Sequence, residues 1–334
     1  MFKEALNELL NSQDLSHETM LSVMRQVMSG ELTPAQISAF LIALRIKGET
    51  ADEIAAAAIV MRELSTKVHI ANTQYLVDTC GTGGDGIQTF NVSTASAFVA
   101  AAAGAKVAKH GGRSVSSVCG SADVLEALGV NVNRTPEQVA ASVNTIGIGF
   151  MFAPNHHSAM KHTASVRREL GVRTLFNLLG PLTNPASARR QVMGVFDKSL
   201  TTKLAHVLQK LGSQHVMVVH GAEGMDEISF SGDTYVAELK NGVVQEYVLH
   251  PKQFGLGVYD VKSIQVRDAA ESKQMIIAVL NGASGPARDI VLLNAGAAIY
   301  VAGLVDSLQA GIVKAAAVID SGAAYEKLAQ LKAV

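Results

Sequence analysis

Four glycines fall among six residues in Gly81-Thr82-Gly83-Gly84-Asp85-Gly86, a density that frees the backbone for positive φ and leaves N–H groups open to a ligand. The stretch, which begins at Val77-Asp78-Thr79-Cys80, reads as an anion-binding loop. A dinucleotide fingerprint would need a helix opening at the glycines and an acid about 20 residues on for the ribose. Here a helical run starts only near Ser93, and no Asp or Glu stands between Asp85 and Asp123. A triphosphate loop would need Lys and Ser/Thr where Ile87-Gln88 stand. Asn91-Val92-Ser93-Thr94 then brings amide and hydroxyl groups to the mouth of an alanine-rich helix, whose positive end favours a phosphate.

A second loop, Lys109-His110-Gly111-Gly112-Arg113-Ser114-Val115-Ser116-Ser117, follows an expected strand. Its cations, glycines and hydroxyls suit phosphate at a strand's C-terminal end, although Lys109 and Arg113 taken alone would serve equally as surface charges. Ser121 heads the next helix and adds a hydroxyl. The adjacent carboxylates Asp226-Glu227 repel each other unless a cation lies between them, and magnesium accepts a few carboxylates with water and phosphate oxygens. A metal site completed by substrate and a solvated acidic turn both remain open. His156-His157 shares no helical face and lacks the HExxH spacing, which disfavours zinc. Arg167-Arg168, on an expected helix, either grips a carboxylate with one planar fork or lies on the surface.

The elements that must position these groups change character along the chain. Residues 1–70 carry apolar stripes at helical spacing, with Thr33-Pro34 and Thr50-Ala51-Asp52-Glu53 as helix starts. From about 71 short strands alternate with helices, the pattern of an α/β domain with a central, mainly parallel sheet. The expected strands are 75–78, 106–110, 146–152, 191–195 and 216–220, and the helices 93–103, 122–128, 136–144 and 200–211. A hairpin is expected over 235–248 around Asn241-Gly242, and helix again over 286–334.

A chain of 334 residues with 48% hydrophobic and 17% charged residues is globular, with room for two domains. Its net charge of -1 offers no general attraction to nucleic acid or to an anionic membrane. Cys80 and Cys119 are too few for a disulfide framework. The N-terminus has no signal-peptide pattern, and the apolar run 291–305 is interrupted by Asn294. A soluble, cytoplasmic protein is expected.

As a group, and in order, Cys80-Gly81-Thr82-Gly83-Gly84-Asp85-Gly86, Asn91-Val92-Ser93-Thr94, Lys109-His110-Gly111, Gly120-Ser121-Ala122-Asp123, Arg167-Arg168-Glu169-Leu170-Gly171, the run from Phe176 to Pro185, and Met225-Asp226-Glu227 resemble the anthranilate phosphoribosyltransferase family. The resemblance runs nearly end to end. It implies a nucleoside phosphorylase/phosphoribosyltransferase-like fold, with a small all-helical domain over 1–70 and an α/β domain over 71–334. Residues from about 160 to 190 would pack on the helices, the substrates would meet at the hinge, and a homodimer would form through the helical domain. By resemblance, Gly81, Gly84, Asp85, Thr89, Asn91, Val92, Ser93, Thr94, Lys109, His110, Gly111, Gly112, Arg113, Ser114, Val115, Ser116, Ser117 and Ser121 would hold phosphoribosyl pyrophosphate. Ser93, Asp226 and Glu227 would bind magnesium, two ions per subunit. Gly81, His157, Met160, Arg167 and Gly180 would border anthranilate. Asp226, Glu227 and Lys109 would serve catalysis by stabilising charge on the departing pyrophosphate.

Two departures stand out. Gly112 occupies a position where the family commonly has Asn, removing a side-chain amide from the aromatic substrate, and Val118-Cys119 replaces a common Lys-Ser. The alternatives are a pyrimidine nucleoside phosphorylase of the same architecture, which would not need the Asp226-Glu227 metal pair, and a non-catalytic nucleic-acid-binding relative, which the near-neutral charge disfavours.

Overall fold

The computed structural model describes residues 1–113 and 119–334; Ser114, Val115, Ser116, Ser117 and Val118 lie outside the described residues. The chain opens with α1 (Phe2–Leu10), α2 (His17–Ser29), α3 (Pro34–Lys47) and α4 (Ala51–Glu63). Thr33 with Gln36, and Thr50 with Glu53, each form a capping box that satisfies otherwise orphaned N–H groups at the starts of α3 and α4. Met20, Met24, Ile37, Phe40, Leu41, Leu44 and Ile54 are the buried stripes that hold the four helices together.

There follow β1 (Leu76–Gly81), α5 (Val92–Ala102), β2 (Lys106–Gly111), α6 (Ser121–Ala127), α7 (Pro136–Ile146), β3 (Ile148–Phe152), α8 (Ala153–His156), α9 (Lys161–Leu170) and α10 (Phe176–Leu179). The chain continues through β4 (Arg190–Gly194), α11 (Leu200–Lys210), β5 (His215–Gly221), β6 (Thr234–Lys240), β7 (Val243–Leu249) and four helices, α12 (Ala269–Leu280), α13 (Pro286–Ala302), α14 (Leu308–Asp320) and α15 (Ala323–Ala333).

The seven strands lie in the order β3-β2-β1-β4-β5-β6-β7. The first five pair in parallel, and β6 and β7 add antiparallel. From β1 the chain builds outward to β2 and β3, then returns to place β4 on the other side of β1. The crevice between β1 and β4 is therefore a switch point, where ligands collect at strand C-termini. Gly81 and Gly194 are paired at that end.

Alternate residues of β5 serve opposite faces. Val216 and Val218 join the core shared with the N-terminal helices, whereas Met217 and Val219 join the core beneath α5 and α13. Val166, Leu175, Phe176, Leu179 and Leu182 join the N-terminal core, with α9 against α2 and α3 and α10 against α4. Two elements depart from the sequence pattern. Ile146 belongs to α7, because Gly147 at φ +78° closes that helix and delays β3 to Ile148. The helix α12, unmarked in the sequence reading, starts where the Asp268 side chain accepts from the Glu271 N–H. Among the described residues no helix is long and apolar enough to cross a membrane.

Candidate active site

The glycine loop leaves β1 at the switch point. Thr82 N–H donates to Gly194 O at 3.0 Å, and Phe196 N–H to Thr82 Oγ1 at 3.2 Å, which fixes the loop's first turn on β4. Gly83 and Gly84 take φ of +67° and +74°, a region that disfavours side chains. A Cβ at Gly81 would stand 2.3 Å from Asp226 Oδ2, and one at Gly194 would stand 1.5 Å from Asp226 O. Bare backbone is thus what lets the acidic turn approach. The Gly83 N–H donates to Asp226 Oδ2 at 2.8 Å, so the loop's bare backbone already holds one carboxylate.

After β5, the Gly221 N–H donates to Met225 O at 2.8 Å, and Met225 and Ile228 are buried. These two apolar anchors flank Asp226 and Glu227 and set them into the site. Burial and the nearby Asp85 charge push Asp226 up to about 7; burial and Asp226 hold Glu227 well above the usual carboxylate range. Lys109 lies beneath them, 3% exposed, its ammonium donating to Ser93 Oγ at 3.1 Å and to Thr79 O. Burial lowers its pKa, opposed chiefly by Asp78.

Asp78 and Asn184 fall inside the sequence motifs but have no role assigned by them. Asp78, fully buried, accepts from His110 N–H at 3.2 Å and from Asn184 Nδ2 at 2.7 Å, and Asn184 also donates to Ala108 O. A charged residue inside an apolar strand was the available signal for Asp78.

The donor set fits magnesium. Asp85, Asp226 and Glu227 are hard oxygen donors whose mutual repulsion calls for a cation, and the Ser93 hydroxyl stands beside them on Lys109. Among the described residues no three His, Cys, Asp or Glu side chains form a metal cage by themselves. Ser96 Oγ, buried without a partner among the described residues, lines a recess with Glu227, Ser93 and Thr79.

Other residues named from sequence take varied places. Val92 and Thr94 are buried in the first turn of α5, and Thr89 bridges to Gln265. Asn91 does not cap α5 with its side chain. Its amide donates to Cys119 O at 3.0 Å and accepts from the Ser272 hydroxyl at 2.7 Å, tying the helix start to α12 instead. Arg113 turns onto α6, where Asp123 and Glu126 hold it at 3.0 and 2.6 Å, rather than toward the glycine loop. Ser121 abuts Gly111, whose added Cβ would meet Ser121 Cβ at 3.1 Å. At Gly112 a Cβ would touch Ala153 Cβ at 3.9 Å and nothing closer among the described residues.

On the aromatic side, His110 and His157 stand 5.1 Å apart between ring centroids. Their rings meet the carbonyls of Gly180 and Thr183, and the Nε2 atoms of His110, His156 and His157 are buried without partners among the described residues. Met160 is half-buried nearby in sequence, its N–H donating to His157 O, and Gly180 is exposed. Arg167 lies over the Phe176 ring at 5.6 Å, half-buried, with no acidic partner among the described residues.

Burial drives His110 well below the ordinary histidine value of 6.5 and His157 down to about 4. The unfolded chain therefore binds protons that the native chain refuses, and stability falls as pH is lowered from 6.5 to about 4, by roughly 2–3 kcal/mol for His157 alone. His157→Gln is expected to flatten the fall of Tm across that window; an unchanged slope would place the acid sensitivity elsewhere.

A cavity of about 540 Å³ opens at the opposite end of the sheet, among Arg190, His215, Lys240 and Tyr300. Its basic groups are engaged: Arg190 with carbonyls of α13, Lys240 with Tyr300, and His215 with Glu238. The chemistry gathers at the switch point instead.

Residues 3–65 match the glycosyl transferase family helical bundle domain, and residues 73–325 match the a/b domain of the same family. An anthranilate phosphoribosyltransferase of Methylobacillus flagellatus is 66% identical, the match covering 99% of this chain and 97% of that protein. One from Thiobacillus denitrificans is 60% identical over 99% and 96% of the two chains. Among solved structures, anthranilate phosphoribosyltransferase from Thermus thermophilus superposes with a TM-score of 0.93 at 42% identity, covering 98% of each chain. The Saccharomyces cerevisiae enzyme in complex with PRPP and Mg gives 0.87 at 29% identity, covering 99% of this chain and 96% of that one.

Proposed function

The chain belongs to the anthranilate phosphoribosyltransferase family and catalyses that transfer in tryptophan biosynthesis, and we propose the following division of labour among its residues. The anthranilate nitrogen bonds to C1 of the ribose as the C1–O bond to pyrophosphate breaks, and the amine gives up a proton. An arylamine is unprotonated at neutral pH, so the demand falls on the leaving group and on alignment. The loop from Gly81 to Gly86, with Ser93, Thr94 and the N-terminal end of α5, binds the phosphates. Asp226, Glu227 and Ser93 hold magnesium, two ions per subunit. Magnesium, when bound, neutralises negative charge on the departing pyrophosphate. Lys109 supports the same charge from beneath, and Arg167 grips the anthranilate carboxylate while His157, Met160 and Gly180 border the ring.

The observation that carries this reading is the glycine loop at the switch point, already binding the carboxylate of Asp226 through the Gly83 N–H, beside acids raised by one another. The decisive assay is loss of anthranilate fluorescence with phosphoribosyl pyrophosphate and magnesium, abolished by EDTA. Phosphorolysis of a pyrimidine nucleoside that ignores EDTA would select the phosphorylase instead. In the same assay Arg167→Ala is expected to raise the anthranilate KM about 10–100-fold and leave that of phosphoribosyl pyrophosphate unchanged. Equal effects on both would remove Arg167 from the carboxylate.

We also place the homodimer contact on α1 and α3, which pack together and leave Leu10 68% and Ile46 80% exposed. Sedimentation equilibrium should return twice the chain mass, and Ile46→Glu should shift it toward the monomer. A monomeric native chain would end this part of the reading.

A further inference from the structure

Arg173 belongs to none of the site's loops or acid pairs; it lies in the 171–175 connection between α9 and α10. Its guanidinium nevertheless donates through Nη2 to Gly84 O, in the middle of the glycine loop, and sits 4.0 Å above the Phe196 ring. Phe196 is itself tied to the loop, through the bond from its N–H to Thr82 Oγ1. The loop is thus strapped by Arg173 and Phe196 and, separately, by Asp226.

The strap has a directional consequence. In a planar trans peptide the C=O and the following N–H point in opposite directions. Arg173, by holding the Gly84 carbonyl toward itself, therefore turns the Asp85 N–H away from it. A loop with Gly83, Gly84 and Gly86 all at positive φ loses much conformational entropy on ordering, and fixing one peptide in advance reduces that cost for any anion it binds. The planar guanidinium suits both contacts, whereas a lysine would keep the hydrogen bond and lose the stacking.

We propose that Arg173 is a positioning residue for phosphoribosyl pyrophosphate, presetting the Gly84–Asp85 peptide for the pyrophosphate from the connection that follows Arg167's helix. The proposal rests on the reading of the glycine loop as the pyrophosphate seat. Arg173 is exposed and stands outside the substrate contacts proposed above, so its signature is selective.

The test compares Arg173→Ala and Arg173→Lys with the native chain, and with Gly83→Val, which strains the loop itself at φ +67°. The readouts are both KM values, Tm, and the affinity for inorganic pyrophosphate with magnesium by calorimetry. Arg173→Ala should raise the phosphoribosyl pyrophosphate KM and the pyrophosphate Kd together, about five- to twentyfold. The anthranilate KM at saturating donor and the Tm should hold, and Arg173→Lys should recover part of the loss. If Gly83→Val weakens pyrophosphate and Arg173→Ala does not, the strap is overturned and the loop reading survives. If neither variant weakens it, the loop reading fails and takes the proposal with it. A joint rise of both KM values with a lower Tm would make Arg173 merely structural.

Discussion

Glu227→Gln is expected to lose about 10²–10³-fold in kcat/KM while melting no lower than the native chain in EDTA. Both signs come from the crowding of Asp85, Asp226 and Glu227. Without a cation these half-buried acids crowd one another, and desolvation with their mutual charge holds Glu227 well above its usual range and Asp226 at about 7. A neutral amide of the same shape removes that repulsion. Asp226 shows how pH should enter. Its unfolded value is 3.8, so the native chain binds a proton that the unfolded chain lacks, and stability declines as pH rises from 3.8 to about 7. Asp226→Asn should therefore gain most against the native chain above pH 7, and its amide oxygen can still accept from Gly83 N–H. The rise in Tm on adding magnesium and phosphoribosyl pyrophosphate should shrink in both variants, since a ligand stabilises only as far as it binds. A Tm several degrees lower in EDTA would show that the carboxylates hold the fold rather than the ligand.

The parts legible in sequence are those decided within a few residues. Thr33, Thr50 and Thr135 each cap a helix because the partner N–H is three residues away, and Asn241-Gly242 closes its hairpin with both residues at positive φ. The glycine loop was legible for the same reason. Its partners were not. Asn184 reaches Asp78 across 106 residues and Arg173 reaches Gly84 across 89, distances over which periodicity carries no information. Asn91 shows a local rule losing to a distant partner: it has the right type for a side-chain cap, but Ser272 and the Cys119 carbonyl take its amide. Arg113 is the opposite case. Asp123 and Glu126 share one face of α6 three residues apart, a signal that a nearby cation would be held there.

Lys109→Met is expected to cost about 10²–10³-fold in kcat/KM, and the companion change Asp78→Asn to separate the reason from mere unfolding. Lys109 and Asp78 are both buried, and Asp78 is the largest charge favouring the ammonium. Removing the lysine alone strands the Asp78 carboxylate, which burial already pushes above its usual range, so the single variant should lose about 3–5 kcal/mol of stability. In the double variant neither member of the buried pair is left charged; the single amide oxygen at position 78 accepts from the His110 N–H, while the Asn184 amide keeps its bond to Ala108 O and loses the one to position 78. Its Tm should return part of the way to the native value, short of it by the lost Asn184 bond. Activity should not return, because Ser93 Oγ loses its ammonium partner and Asp226 and Glu227 lose the cation beneath them. A double variant that recovered both would reduce Lys109 to half of a structural ion pair, with no charge owed to the departing pyrophosphate.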